Sequence, residues 1–135
     1  MHIEEALYQS VVDFVKIRYP VGWGGAAAVR TASGKVLISV APDTKNDALA
    51  LCMEVGAFLE AHKLNEIVTH SICVCRDDEH SELLILSPCG VCQERLVHWG
   101  GEVKAAISTV ENTLVFKTIR ELMPYHWSIV NGEQL

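Results

Sequence analysis

The order of periodicities along the chain predicts a layered α/β domain, with one mixed sheet of about five strands and helices on both faces. Three observations carry this. Apolar residues recur at three- and four-residue steps near the N-terminus, two short strand-like runs meet at a Gly-containing turn, and helix-like and strand-like runs then alternate along the rest of the chain. Residues 1–135 read as a single domain, because this length supports one continuous core and no linker, repeat or low-complexity tract interrupts it.

Ile3, Leu7, Val11, Phe14 and Val15 mark one face of a helix over 3–18. Tyr19-Pro20 ends it, since a residue before proline avoids helical angles. Val21 to Gly25 is a glycine-rich loop holding Trp23. Strands over 26–31 and 35–40 flank the turn Ala32-Ser33-Gly34, and a loop over 41–46 follows. From Asp47 or Ala48 to His62 the pattern is helical, with Leu51, Val55, Phe58 and Leu59 on one side, which places Cys52 and Glu54 in the first turns. Strands over 67–76 and 83–86 enclose the charged turn Asp77-Asp78-Glu79-His80. Ser87 as N-cap and Pro88 at the first helical position open a helix running to His98, and Gly100-Gly101 stops it. A strand over 103–107, a shorter one over 113–116 and a short helix over 118–122 lead to a tail carrying Tyr125, His126 and Trp127.

The formal charge of −6 argues against DNA or RNA as the main partner, because polyanion binding draws on Lys and Arg. A single nucleoside remains compatible with it. No run approaches the roughly 18 apolar residues of a membrane span, and the start Met1-His2-Ile3-Glu4-Glu5 lacks a signal peptide's basic and apolar segments, so the expected location is cytoplasmic. Five cysteines cannot all pair within one chain, and at metal spacing in a cytosolic protein they point to metal or catalysis.

Cys89 and Cys92 stand three apart directly after Pro88, and Cys52 has a carboxylate, Glu54, two residues later. Thiols at helix N-termini are favoured as thiolates by the backbone N–H groups and the helix dipole. If both helix starts meet at one sheet edge, three thiolates converge on one Zn2+ and leave an open position for water, whose pKa falls to about 7. Glu54 is then the nearby proton carrier. The plainer alternatives are a redox pair, or a structural zinc completed by a fourth protein ligand. Cys73 and Cys75 alternate on a strand and read as core packing. His70 reads as a packed strand residue, His62, His80 and His98 as solvated residues at element ends, and the acidic turn as a solvated one without calcium-loop spacing.

Cys52-Met53-Glu54 followed by Pro88-Cys89-Gly90-Val91-Cys92 resembles the signature of the zinc-dependent cytidine deaminase superfamily. Three cysteines resemble its small tetrameric branch, the cytidine and blasticidin-S deaminases. Arg120-Glu121-Leu122-Met123-Pro124 with Tyr125 and Trp127 is similar to the C-terminus of the blasticidin-S enzymes. The resemblance implies a three-layer cytidine deaminase-like fold, a homotetramer and one zinc per chain on Cys52, Cys89 and Cys92. It also implies hydrolytic deamination of a cytosine-type nucleoside or analogue, with Glu54 as acid and base. Ser87 and the Cys52-Met53 backbone would hold the base, and Trp127 would close the pocket across a subunit boundary. Trp23 corresponds to a family phenylalanine beside the sugar.

The chain departs from the pattern at several points. Ala41 and Asp43 stand where cytidine deaminases carry Asn and Glu for the ribose hydroxyls; Asp43 can accept a hydrogen bond, and Asn46 lies close by. Val55 and Gln93 stand where arginine or another polar group often tempers the thiolate charge, leaving Arg95 as a substitute, and Met53 replaces an alanine. The rival from another class is a catalytically silent zinc protein that binds a nucleoside or a protein partner.

Overall fold

The computed structural model describes residues 2–133 and 135. Helix α1 spans Ile3–Arg18 and buries Leu7, Val11 and Val15 along one stripe, as its periodicity requires. Strand β1 (Gly24–Thr31) pairs antiparallel with β2 (Val36–Ser39) on one edge and with β3 (Val68–Arg76) on the other. The far edge of β3 is shared. Its C-terminal half, at Val74 and Cys75, pairs antiparallel with β4 (Leu84–Ile85), and its N-terminal half, at His70 and Ser71, pairs in parallel with β5 (Lys104–Ala106). Strand β6 (Phe116–Thr118) closes the far side, giving a mixed sheet of six strands in the order β2-β1-β3-β5-β6.

The sheet buries both faces. Leu7, Val11 and Val15 of α1 pack on Ala26, Ala28, Ile72 and Val74. The opposite face carries helices α2 (Val55–Lys63), α3 (Gly90–Leu96) and α4 (Ile119–Leu122), whose Phe58, Ala61, Leu96 and Ile119 pack with Val29 and Val68. Side chains alternate across a strand, so neighbours on β1 and β3 feed different layers. Two glycines exploit this. A Cβ on Gly24 would meet Tyr19 Cβ at 2.9 Å and Val15 Cγ1 at 3.0 Å, and one on Gly25 would meet the Met53 sulfur and the Trp23 ring, both at 2.9 Å. Gly24 therefore seats the end of α1, and Gly25 seats residues of the opposite layer.

Helix starts are where the structure departs most from the sequence reading. The helix expected from Asp47 or Ala48 begins at Val55. Asp47–Leu49 forms only a single 3-10 turn, capped by Asn46, whose Oδ1 accepts from Ala48 N at 3.0 Å, and Ala50 is extended. Cys52 therefore precedes α2 and Glu54 is its N-cap. Ser87 is not the cap of α3, nor Pro88 its first residue. Ser87 and Ser108 instead exchange two hydrogen bonds, Ser87 N to Ser108 Oγ at 2.9 Å and Ser108 N to Ser87 Oγ at 2.8 Å, and extended Cys89 becomes the cap. The last strand lies at 116–118 rather than 113–116, and Thr118 caps α4 in a reciprocal pair with Glu121. The tail holds a 3-10 helix, Trp127–Asn131, that its aromatic content did not signal.

Phe58 is 2 % exposed at the centre of the helical layer. Phe58→Ala is expected to lower unfolding free energy by about 3–5 kcal/mol, read as a lower urea midpoint with an unchanged slope.

Candidate functional site

The site forms where the start of α2, the start of α3 and the C-terminal half of β3 meet. Cys52 reaches it from the irregular segment before α2. That segment is pinned by Ser39 Oγ, which donates to Met53 O at 2.5 Å, and by Val55 N, which donates to Cys52 O at 3.2 Å. Ser39 also sits under α2, its Cβ 2.8 Å from where a Cβ on Gly56 would lie, so the helix rests directly on β2. Cys89 and Cys92 come from the first turn of α3, where Gln93 N donates to Cys89 O at 2.8 Å.

The sulfurs of Cys52, Cys89 and Cys92 all lie within 4.8 Å of one another, with Cys52 and Cys89 3.4 Å apart. Zinc bound by sulfur at about 2.3 Å places tetrahedral ligands about 3.8 Å from each other, a spacing within the range over which the three thiols are gathered. All five cysteines are free thiols. Among the described residues these three are the only group of His, Cys, Asp or Glu side chains so gathered.

The three thiols differ electrostatically. Cys89 is held below the usual thiol range, first by the Cys92 backbone N–H and also by Cys52 and the Val91 N–H. Its hydrogen bond with Cys89 is the main influence raising Cys52, followed by burial. Cys92 is fully buried; burial, then the Glu54 carboxylate, pushes its thiol up. Arg95 answers part of this. Its Nη1 donates to Cys92 Sγ at 3.9 Å, a cation on the most buried sulfur. Val55 is packed in the core and Gln93 Nε2 donates to Pro88 O at 2.9 Å, so neither substitutes for a cation.

Glu54 is 4 % exposed. As N-cap it makes no side-chain capping bond, which leaves its carboxylate free. The thiols of Cys92 and Cys73 both lie against that carboxylate. Burial, followed by Glu54, pushes the Cys73 thiol up. A cavity of about 370 Å3 opens in front of this cluster. Its walls include Trp23, Ala41, Met53, Leu86 and Ser87, together with Cys52, Glu54, Cys73 and Cys89.

The structure thus brings Trp23, Met53 and Ser87 to the cavity with Cys52, Cys89 and Glu54, and sets Cys92 behind them. Asp43 and Asn46 lie on the exposed loop beyond its walls, and Tyr125 and Trp127 lie outside them as well. Trp127 Nε1 donates to Glu94 Oε1 at 3.0 Å. His126 is buried. Its Nδ1 accepts from Ser128 N at 3.2 Å, so Nε2 carries the proton and donates to Glu94 Oε2 at 2.8 Å. These bonds fasten the C-terminal segment to α3. Cys73 is both core and cavity wall; its place two residues from Cys75 near the C-terminal end of a central strand was the available signal for it.

Three thiols placed for one cation, with a free buried carboxylate beside them on a three-layer α/β scaffold, define a zinc-type deaminase. The chain belongs to the cytidine deaminase family. It is 53% identical to the cytidine deaminase from Bacillus anthracis, over 97% of this chain and 94% of that one, with a TM-score of 0.94. The same fold recurs at 20% identity in the cytidine deaminase from Mycobacterium leprae, TM-score 0.69 over 92% of this chain and 99% of that one. It recurs again in a mutant cytidine deaminase from Mycobacterium tuberculosis, at 20% identity and TM-score 0.71 over 97% of this chain and 99% of that one. No family model matches the chain.

Three outcomes test the metal site. Purified protein should hold about one zinc per chain by elemental analysis, and Cys89→Ser should lose it. Binding displaces the protons of the raised Cys52 and Cys92 thiols, so affinity should climb with pH, by up to about tenfold per pH unit for each thiol still protonated in the metal-free protein, and fall as pH drops. Arg95→Ala should release zinc faster to a chelator, because the charge on Cys92 then lacks its cation.

Proposed function

We propose that this protein hydrolytically deaminates a cytosine-type nucleoside or analogue, of the cytidine or blasticidin S class, to a carbonyl with release of ammonia. The observation that carries the reading is the free, buried Glu54 carboxylate set beside three thiols at the head of a cavity. Cys52, Cys89 and Cys92 are the residues to hold one Zn2+ per chain, which when bound supplies a water acidified to a pKa of about 7. Glu54 takes a proton from the attacking water, delivers it to the ring nitrogen beside the amine-bearing carbon, and then assists the departing ammonia. Met53 and Trp23 flank the bound ring, while Ser87 and the Cys52-Met53 backbone hold its polar edge.

A homotetramer belongs to the same proposal. Leu51, Leu59, Val91, Tyr125 and Trp127 are each at least 50 % exposed, more large apolar surface than this small site region needs by itself. Asp43, Asn46, Tyr125 and Trp127 are proposed contacts to substrate that become effective when a neighbouring subunit is packed against the cavity. The proposed location is the cytoplasm, where five free thiols persist; no described helix is long and apolar enough to cross a membrane.

Glu54→Gln should keep zinc and lose at least about a thousandfold in kcat, followed by ammonia release and ultraviolet absorbance. Undiminished turnover in that variant would remove Glu54 from the chemistry. A zinc-replete wild type that releases no ammonia from cytidine, cytosine, deoxycytidine or blasticidin S would instead favour a silent binding protein.

A further inference from the structure

We propose that Glu79, in the charged turn after β3, is a positioning residue for the reaction: with the buried Arg76 as fixed anchor, its carboxylate holds the Tyr19–Trp23 segment as a rigid wall of the cavity. The proposal rests on the deaminase reading above, in which Trp23 flanks the bound ring.

Arg76, the last residue of β3, is 5 % exposed. Among the described residues no carboxylate lies within ion-pair reach of it, and its Nε has no partner. A buried cation without a counter-ion needs a fixed dipole in its place. The end of α1 is that dipole. Arg76 Nη2 donates to the carbonyl oxygen of Tyr19, the C-cap of the helix, where the backbone carries partial negative charge. Register sets the direction of the side chain. Arg76 stands opposite Gly24 across β1 and β3, on the face where a Gly24 Cβ would meet Tyr19 and Val15. Arg76 thus grips the segment from the α1 layer, on the far side of the sheet from the thiols.

Glu79 takes hold of the same segment three residues further on. Its Oε2 accepts from Gly22 N at 2.8 Å, and that N–H keeps the carboxyl below its usual range. Asp78 shapes the turn that presents it, with Oδ1 accepting from His80 N at 2.8 Å and from Ser81 Oγ at 3.0 Å. Between the two anchors Val21 is exposed and Gly22 takes a φ of 82°, so the segment has little packing of its own. Trp23, half exposed, leaves it toward the cavity. Its ring meets the Tyr19 ring nearly edge-on at 5.7 Å and lies so close to Gly25 that a Cβ there would be 2.9 Å from it. Arg76 therefore fixes the aromatic neighbour of Trp23, and Glu79 fixes the residue directly before it. Each of these contacts lies within one chain, so the clamp stands whether or not a neighbouring subunit covers the outer face of Trp23.

A wall that is already ordered adds no cost when substrate arrives, whereas a loose one must be ordered at every binding event. Cutting the Glu79 contact weakens ground state and transition state alike, which raises KM and leaves kcat in place. A KM increase of about three- to tenfold is the scale for ordering one such side chain.

The test follows ammonia release by zinc-loaded protein from cytidine, or from blasticidin S where cytidine is not turned over. Glu79→Ala should raise KM by about three- to tenfold, with kcat within about twofold and zinc content unchanged. Glu79→Gln keeps an acceptor for Gly22 N and should stay near the wild-type KM. In a Trp23→Ala background, Glu79→Ala should change KM no further, because the carboxylate then has no ring to place. A wild-type KM in Glu79→Ala overturns the proposal, and so does an effect that persists in full without Trp23. Failure of the deaminase reading is distinguishable. If neither compound releases ammonia, acrylamide quenching of the Trp23 emission, taken as the difference from matched Trp23→Phe proteins, decides the clamp. It should be steeper in Glu79→Ala than in the wild type or Glu79→Gln, and equal quenching in all three overturns the proposal.

Discussion

Negative charge at the centre is the constraint on which the rest of the structure depends. Three thiols, which would become thiolates on binding a divalent ion, and a carboxylate share one small volume, and two of the four groups, Cys92 and Glu54, are buried. Burying charge without compensation is costly, so each group needs its own partner. The start of α3 supplies backbone N–H groups to Cys89, and Arg95, from the same helix, covers Cys92. The Cys73 thiol faces Glu54 from the sheet. Neither Val55 nor Gln93 carries a charge, and the cation within reach of the buried Cys92 sulfur is Arg95.

That arrangement demands close approach of helices to the sheet, and β1 is built for it. A run of glycine and alanine from Gly24 to Ala28 keeps the central strand thin. Gly24 admits the end of α1 on one face, and Gly25 admits Met53 and Trp23 on the other. Because consecutive residues point to opposite faces, two adjacent glycines serve the outer helix and the site separately. Ser39 then ties the Met53 carbonyl to β2, so Cys52 and Glu54 are held by the sheet before α2 begins.

The C-terminal segment shows how far pattern reading reaches. Tyr125, His126 and Trp127 are adjacent in the sequence, and in the folded chain His126 and Trp127 converge on Glu94 of α3 while Tyr125 stands in solvent. Their sequence neighbourhood says nothing of which helix they meet. Helix starts misread for a related reason. Ser87-Pro88 has the local chemistry of an N-terminus, but Ser108, distant in sequence, engages Ser87 and shifts the cap to Cys89. Residues 47–54 carry helical periodicity, but their apolar positions serve a turn and a cavity wall rather than a helix face.

Sequence by itself determined the alternation of elements, the layered α/β class, and the residue types and spacing of the three cysteines and of Glu54, because spacing and residue type are local properties of the chain. Tertiary structure alone decided that Cys52 stands outside its helix, that Arg95 rather than a neighbour of the ligands reaches Cys92, and that Cys73 faces Glu54. It also decided that the cavity wall away from the thiols is apolar. Each of these joins residues from separate elements, and their distances are set by how closely the helices settle on the sheet, which no periodicity along the chain encodes.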